Sequence, residues 1–397
     1  MKKYFFKLHL ATLFVFLLFF TTNKPATAGW SEVENGTTER LEGIWGNSGE
    51  DVFAVGGNGT ILHYNGMNWS EMESGTTNDL EDIWGTGEND VFAVGENGTM
   101  IHYNGKTWSK INSGTSKDLD SVWGSSQNDI FVTGNGFTRG GGDYINFILH
   151  YNGNTWSEAY RVEADVTRPE RLYDIWGSSG INVFVVGHYS TIFYYNGSSW
   201  SKMKSGIVTN FSGIWGSSEN DVYTVGWNRY ADNKICHYDG NTWSEIYSDE
   251  SLGALFDVWG SSNTDVFAVG GEGAIFHYDG ITWSEMNSMI SEHLYAVWGN
   301  SGEDVFAVGE NGTILHYDGI NICTAEKVYG EHSEKTELLR NFRDEVLSKT
   351  SEGQELIKLY YQWSPVIVNT MEEDGEFKEE VKELLDGVLG LIGGKAE

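Results

Sequence analysis

Short apolar runs alternate with glycine-rich polar turns along most of this chain, always in the same order. The clearest copy reads Ile44-Trp45-Gly46, then Asp51-Val52-Phe53-Ala54-Val55-Gly56, then Gly59-Thr60-Ile61-Leu62-His63-Tyr64-Asn65-Gly66, then Trp69-Ser70. Four strand-length phrases recur: Leu-x-x-Ile-Trp-Gly (Leu80 to Gly85), Val-Phe-Ala-Val-Gly, Thr-Ile-Leu-His-Tyr and Trp-Ser-Glu-Met. The second and third are nearly continuous in apolar residues, as strands covered on both faces are. A Ser-Ser-Glu-Asn-Asp type of turn (Ser217 to Asp221) separates the first phrase from the second, and an Asn-Gly or Asp-Gly turn the third from the fourth. Both are hairpin chemistry. The Trp-Gly pair stands at Trp45, Trp84, Trp123, Trp176, Trp215, Trp259 and Trp298, in steps of 39, 39, 53, 39, 44 and 39 residues. This rhythm predicts an all-β, seven-bladed β-propeller, each blade running from an inner to an outer strand.

The count of phrases predicts how the ring closes. Outer-strand starts occur at Trp30, Trp69, Trp108, Trp156, Trp200, Trp243 and Trp283, the first of them ahead of any inner strand. The seventh repeat lacks its own, with Ile322 where the Trp would fall. Trp30-Ser31-Glu32-Val33 should therefore complete the last blade and remove an exposed edge.

Composition narrows the class. The formal charge of −32 repels nucleic acid and anionic membranes. Two Cys exclude a disulfide scaffold and a Cys-x-x-Cys metal cluster. Residues 1–28 read as an export signal: Lys2, Lys3 and Lys7, an apolar run from Leu8 to Phe20, then Ala26-Thr27-Ala28. The apolar run is too short to span a bilayer comfortably, so the expectation is an exported monomer with no membrane span in its mature form. Residues 29–322 form the expected propeller and 323–397 a small all-α module. Helices are expected from Ser333 to Leu347, Glu352 to Trp363, Ser364-Pro365 to Met371, and Glu376 to Ile392.

The repeated residues read as structure. Seven copies of one Trp are interblade filler. Six repeats carry His (His63, His102, His150, His237, His277, His316), spread over separate interblade spaces where they cannot converge on one metal. The fourth blade replaces that His by Tyr194 and the Asp of Asp-Val-Phe by Asn182, which implies an Asp–His hydrogen bond elsewhere. No metal or cofactor is expected.

Two resemblances follow from the motifs. The Gly and Trp spacing at Gly66/Trp69, Gly105/Trp108, Gly153/Trp156, Gly197/Trp200, Gly240/Trp243 and Gly280/Trp283 resembles the Asp-box of sialidase-type (BNR-like) repeats. Here the acid or amide directly precedes Gly, as in Asp239-Gly240, and the leading Ser is missing. The resemblance implies a propeller in which the box is a folding element, and no enzyme. In the tail, Leu339-Arg340-x-Phe342-Arg343-Asp344 and Tyr360-Tyr361-x-x-Ser364-Pro365 resemble a C-terminal module of exported bacterial proteins. Its Cys-Phe-Ile box is degenerate here as Cys323 to Gly330. The resemblance implies a bacterial periplasmic, extracellular or cell-surface protein. Cys323 is then a candidate for processing or modification, for remaining free, or for bridging Cys236.

Function is expected where the repeat breaks. Blade 3 carries nine extra residues between its second and third strands, around Phe137, Arg139, Asp143 and Tyr144; blade 4 five in the loop leading into it, Arg161 to Arg171; blade 5 four between its second and third strands, around Trp227, Arg229, Tyr230 and Asp232. All three emerge on the propeller face opposite the Asn-Gly turns. Five of the six Arg of the propeller lie there (Arg139, Arg161, Arg168, Arg171, Arg229), with Tyr160 and the aromatics above. Guanidinium forks beside aromatic rings suit an anionic glycan or a protein partner; the bland alternative has these Arg pairing with Glu163, Asp165 and Glu170 as a solvated loop. The leading expectation is a non-enzymatic binding propeller. A glycosidase-like hydrolase using carboxylates such as Asp143, Asp165 or Asp232 is one rival, an assembly or scaffold factor another.

Overall fold

The computed structural model describes residues 29–137, 144–164, 171–228, 233–249 and 253–317, and in the tail 328–329, 333, 335, 338–339, 342, 371 and 375–393. Gly29–Gly319 form one compact unit, and the chain from Ile320 onward belongs to a second. The first unit is a seven-bladed β-propeller of seven four-stranded antiparallel sheets. Blade 1 is typical: Leu41–Ser48 innermost, then Asp51–Gly56, Ile61–Tyr64 and Trp69–Glu71 outermost. The seventh blade joins the two ends of the propeller sequence, Trp30–Glu32 pairing with Ile314–Tyr317 in the register Trp30↔Tyr317, Ser31↔His316, Glu32↔Leu315. The closure expected from the count of Trp-Ser phrases is present.

The blades interlock through the Trp-Gly pair. A Cβ placed on Gly124 would lie 2.6 Å from the ring of Trp84 in the preceding blade, and one on Gly216 2.7 Å from Trp176. Gly46 stands in the same way against Trp298, across the closure. The glycine thus follows Trp in each repeat because the neighbouring blade's indole fills the volume a side chain would take. Every interblade space also holds its own apolar cluster; Leu41, Ile44, Val52 and Ala54 of blade 1 pack on Phe306, Val308 and Ile314 of blade 7. Burial of each large side chain contributes about 1.5–3 kcal/mol.

The repeated His is held as the departures in blade 4 imply. Nε2 of His63, His102, His150, His237, His277 and His316 lies 2.6–2.8 Å from Oδ1 of Asp51, Asp90, Asp129, Asp221, Asp265 and Asp304. In blade 4 the Tyr194 hydroxyl donates to Asn182 Oδ1 at 2.6 Å, so one hydrogen bond replaces the other. Each imidazole also packs on a ring of the second strand, Phe53 on His63 at 4.4 Å for instance.

Blade 3 differs from the sequence expectation in one respect. Its extra residues lengthen strands as well as loops: Asp129–Phe137 and Tyr144–Tyr151 pair up to Phe137↔Tyr144, and the outer strand runs from Trp156 to Ala164. Arg161 therefore belongs to a strand and not to the loop assigned from the sequence.

In the second unit the helix Gly375–Gly393 matches the expected last helix. It buries Val381 and Leu385 in a cluster with Met371, against which Val328, Tyr329, Leu339 and Phe377 pack. The other three expected helices and Cys323 fall mostly or wholly outside the described residues.

Candidate functional site: the channel mouth

Each inner strand pairs with its second strand with two register shifts, and the first of them falls at the same place in every blade. In blade 1, Leu41 pairs with Gly56 and Gly43 with Val55, so Glu42 is skipped. The residues skipped in the other blades are Glu81, Asp120, Tyr173, Ser212, Phe256 and Tyr295. A bulge releases its residue from the ladder and re-aims the side chain. Seven inner strands in contact around a ring thus present seven re-aimed side chains at one level of the central channel. The backbone N–H of Gly57, His188 and Glu310, at the turns between second and third strands, donates to Arg40, Arg171 and His293 just ahead of the inner strands. The bulge ring therefore opens on the same face as the insertions.

The ring divides into two chemistries. Blades 1–3 give carboxylates. Burial, followed by the charges of Glu42 and Asp120, pushes the Glu81 carboxyl up to about 7. Burial pushes Asp120 up to about 6 against the pull of Arg171 and Asn135, and raises Glu42 against Arg40, its ion-pair partner. Blades 4, 6 and 7 give aromatic rings, and blade 5, whose bulge residue is Ser212, adds Trp227 from the end of its second strand. The Tyr173 hydroxyl lies 2.7 Å from His188 Nε2, His188 meets Trp227 edge-on at 6.4 Å, and Phe256 lies 5.5 Å from Tyr295, whose hydroxyl donates to Glu310. Next to this sector the turn of blade 4 holds Tyr189 at φ 55° and Ser190 at φ 60°, where blade 1 has Asn58 and Gly59. A serine in this left-handed region is strained, and the turn presents a Tyr189 that is 51% exposed.

One residue further along the inner strands lies a second ring: Gly43, Asp82, Ser121, Asp174, Gly213, Asp257 and Ala296. Three carboxylates here tie blade to blade. Asp82 accepts the N–H of Val122 in the next blade at 2.8 Å, Asp174 that of Ile214 at 2.8 Å, and Asp257 that of Val297 at 2.8 Å. Protein surrounds these half-buried carboxylates on every side of the channel. Desolvation, with mutual repulsion between Asp82 and Asp174, lifts Asp82 to about 7 and leaves Asp174 at about 6; Asp257 is lifted well above the usual range by the same causes. Small residues stand between them because the acidic strands come close: a Cβ on Gly213 would meet the Asp257 Cα at 2.7 Å.

Among the candidates named from sequence, Arg171 and Trp227 border this mouth. Arg171 Nη2 donates to Asp120 Oδ1 at 2.8 Å, and its guanidinium lies 5.2 Å from the centre of the Tyr173 ring. Arg161 stands apart on the outer strand of blade 3, held by Glu158 at 2.7 and 2.5 Å; Asp165 and Glu170, two of the acids the sequence offered as partners, lie outside the described residues. Phe137 and Tyr144 are register partners at the end of the paired second and third strands of blade 3. Arg139, Asp143, Arg168, Arg229, Tyr230 and Asp232 lie outside the described residues. Cys236 is buried and free, its thiol pushed up to about 12 by burial and then Glu245.

The bulge ring was not among those candidates, yet the sequence carries its signal. The two x positions of Leu-x-x-Ile-Trp-Gly are where the refrain does not hold: Glu-Gly, Glu-Asp, Asp-Ser, Tyr-Asp, Ser-Gly, Phe-Asp and Tyr-Ala. Insertions change the length of a repeat and so draw the eye; substitutions at constant length do not.

No family model and no curated protein matches the sequence. Solved structures do, and they define the class as a seven-bladed propeller. YCF48 bound to a D1 peptide superposes with a TM-score of 0.57 at 16% identity, over 75% of this chain and 98% of that one. YCF48 from Cyanidioschyzon merolae gives 0.58 at 16%, over 74% and 100%. The WD40 propeller domain of Doa1 gives 0.57 at 11%, over 75% and 99%. At these identities the likeness is one of fold.

Proposed function

We propose that this chain is an exported, non-enzymatic propeller that binds a protein partner through a peptide segment seated on the channel mouth. The observation that carries the reading is the bulge ring, where one structural position in every blade is re-aimed toward one opening and diversified in chemistry. Its carboxylate sector (Glu42, Glu81, Asp120) and aromatic sector (Tyr173, Trp227, Phe256, Tyr295) together suit a segment that offers a Lys or Arg beside an apolar residue. The YCF48 structure with a bound D1 peptide supports a peptide as the class of ligand. Of the five Arg that would serve an anionic glycan, Arg161 and Arg171 are engaged by Glu158 and Asp120, and the other three lie outside the described residues; the peptide reading rests on the bulge ring.

The test is calorimetric titration of the full chain with three short peptides of equal length, one rich in Lys and Arg, one neutral and one acidic. The basic peptide should bind, more weakly as salt rises, and Glu81→Gln and Phe256→Ser should each weaken it about tenfold or more. Binding that ignores both substitutions would remove the mouth from the reading. Glu81, protonated near neutrality beside two further carboxyl groups, is the group a hydrolase would use. Turnover of a fluorogenic glycoside abolished by Glu81→Gln would replace binding by catalysis.

A further inference from the structure

Ser121, in the inner strand of blade 3, stands between carboxylates carried by both neighbouring blades. Its Oγ lies 2.7 Å from Asp82 Oδ2 and 2.8 Å from Asp174 Oδ1. Both are ordinary hydrogen-bond separations for a pair of oxygens. A serine hydroxyl, however, has one hydrogen. It can donate to one carboxylate only, and with both acids ionised the other contact would set lone pair against lone pair.

The remaining hydrogen bonds do not supply what is missing. Asp82 Oδ1 accepts the N–H of Ile83 at 2.7 Å and Oδ2 that of Val122 at 2.8 Å. Asp174 Oδ1 accepts the N–H of Ile175 at 2.7 Å and Oδ2 that of Ile214 at 2.8 Å. These donors hold the carboxylates in place, and none of them puts a hydrogen between Ser121 and the second acid. Nor does the rest of the ring supply a cation. Its other members are Gly43, Gly213, Ala296 and Asp257, and Asp257 adds repulsion toward Asp82 and Asp174. The charged groups one level up, at the mouth, are Glu42, Glu81 and Asp120, with Arg40 paired to Glu42 and Arg171 to Asp120.

We infer that Asp82, Ser121 and Asp174 form a bridge that holds one proton beyond the serine's own. One aspartic acid donates its O–H to Ser121 Oγ, whose hydrogen goes on to the other, ionised aspartate. Moving both hydrogens along the bridge exchanges the two roles, so the bridge carries one negative charge in either form. It fastens blades 2, 3 and 4 across the channel directly beneath Glu81, Asp120 and Tyr173, each the residue before a bridge member. When the proton leaves, two charges flank one hydroxyl, one contact must open, and the three blades loosen at the mouth. The upward displacement of both carboxyls agrees in direction, placing the loss as pH rises through about 6 to 7.

Neutron diffraction from deuterium-exchanged crystals of the chain tests the proton directly. Between the two titrations, at about pH 6.5, two deuterons should lie on the path Asp82–Ser121–Asp174, and at about pH 9 one. A single deuteron at both, or a bound cation in the bridge, overturns the inference. Amide exchange tests the loosening. Corrected for intrinsic base catalysis, protection of the Val122 and Ile214 N–H should fall about tenfold over that range, and by more than that of Val297, whose acceptor Asp257 titrates without a serine beside it. Ser121→Ala should abolish the step, and an identical step in that variant would overturn the bridge. If Ser121→Ala does not fold, the deuteron count in the unaltered chain decides alone.

Discussion

A glycine and a histidine show most directly how single residues specify this molecule. Gly124 gives up its side chain to the Trp84 ring, and a methyl there would also lie 2.8 Å from the Asp129 carbonyl. Gly124→Ala should therefore cost about 1–3 kcal/mol, as overpacking does, and lower the melting midpoint by several degrees in a thermal scan. The His–Asp pair makes a sharper prediction, because blade 4 already contains its replacement. Asp90→Asn and His102→Tyr should each destabilise blade 2, and the double variant, which reproduces Asn182 and Tyr194, should recover part of the loss. A double-mutant cycle in urea should give a coupling of about 0.5–3 kcal/mol; strict additivity would mean that the two side chains do not act through their shared hydrogen bond.

At the scale of the element, the strand that closes the ring is short and depends on one side chain. Trp30–Glu32 contributes three residues, of which Trp30 is 3% exposed and packs edge-on against Phe267. Trp30→Ala should cost about 3–5 kcal/mol, as burial of a large aromatic implies, and deletion of residues 29–40 should lower the melting midpoint further, since it also uncovers the edge of Ile314–Tyr317. A melt unchanged by the deletion would mean that closure contributes nothing. The inner strands carry the other element-scale feature, the bulge: it is repeated in all seven, so its position belongs to the fold, whereas the residue placed on it is free to vary.

For the whole molecule, the channel acids set the response to pH. Glu81 and Asp82 are lifted to about 7, Asp120 and Asp174 to about 6, and Asp257 well above the ordinary range, in each case chiefly by desolvation. Folded carboxyls raised above their unfolded values near 4 hold protons that the unfolded chain releases. Their contribution to stability is full below about pH 4 and is lost as pH rises through 6 and 7. The melting midpoint should thus rise when the chain is taken from about pH 8 to about pH 6, and Asp82→Asn with Asp257→Asn should flatten that dependence. A midpoint that falls over this interval would contradict the displacement of these groups.

The sequence by itself determined the architecture, because seven near-identical phrases can bury their apolar faces only against copies of themselves, and because counting Trp-Ser starts from Trp30 fixes the closure. It also determined the partner of each repeated His, through the joint change at Asn182 and Tyr194. The tertiary structure decided what stands at the channel. Glu42, Glu81, Asp120, Tyr173, Ser212, Phe256 and Tyr295 are far apart in sequence and range from carboxylate to aromatic, and only the ring, with its bulge in every inner strand, collects them. Likewise Arg171 meets Asp120, and Ser121 meets both Asp82 and Asp174, through packing between blades. Local periodicity encodes a strand and its covered face; which side chains face each other across the axis depends on the curvature by which seven sheets close, a property no single repeat contains.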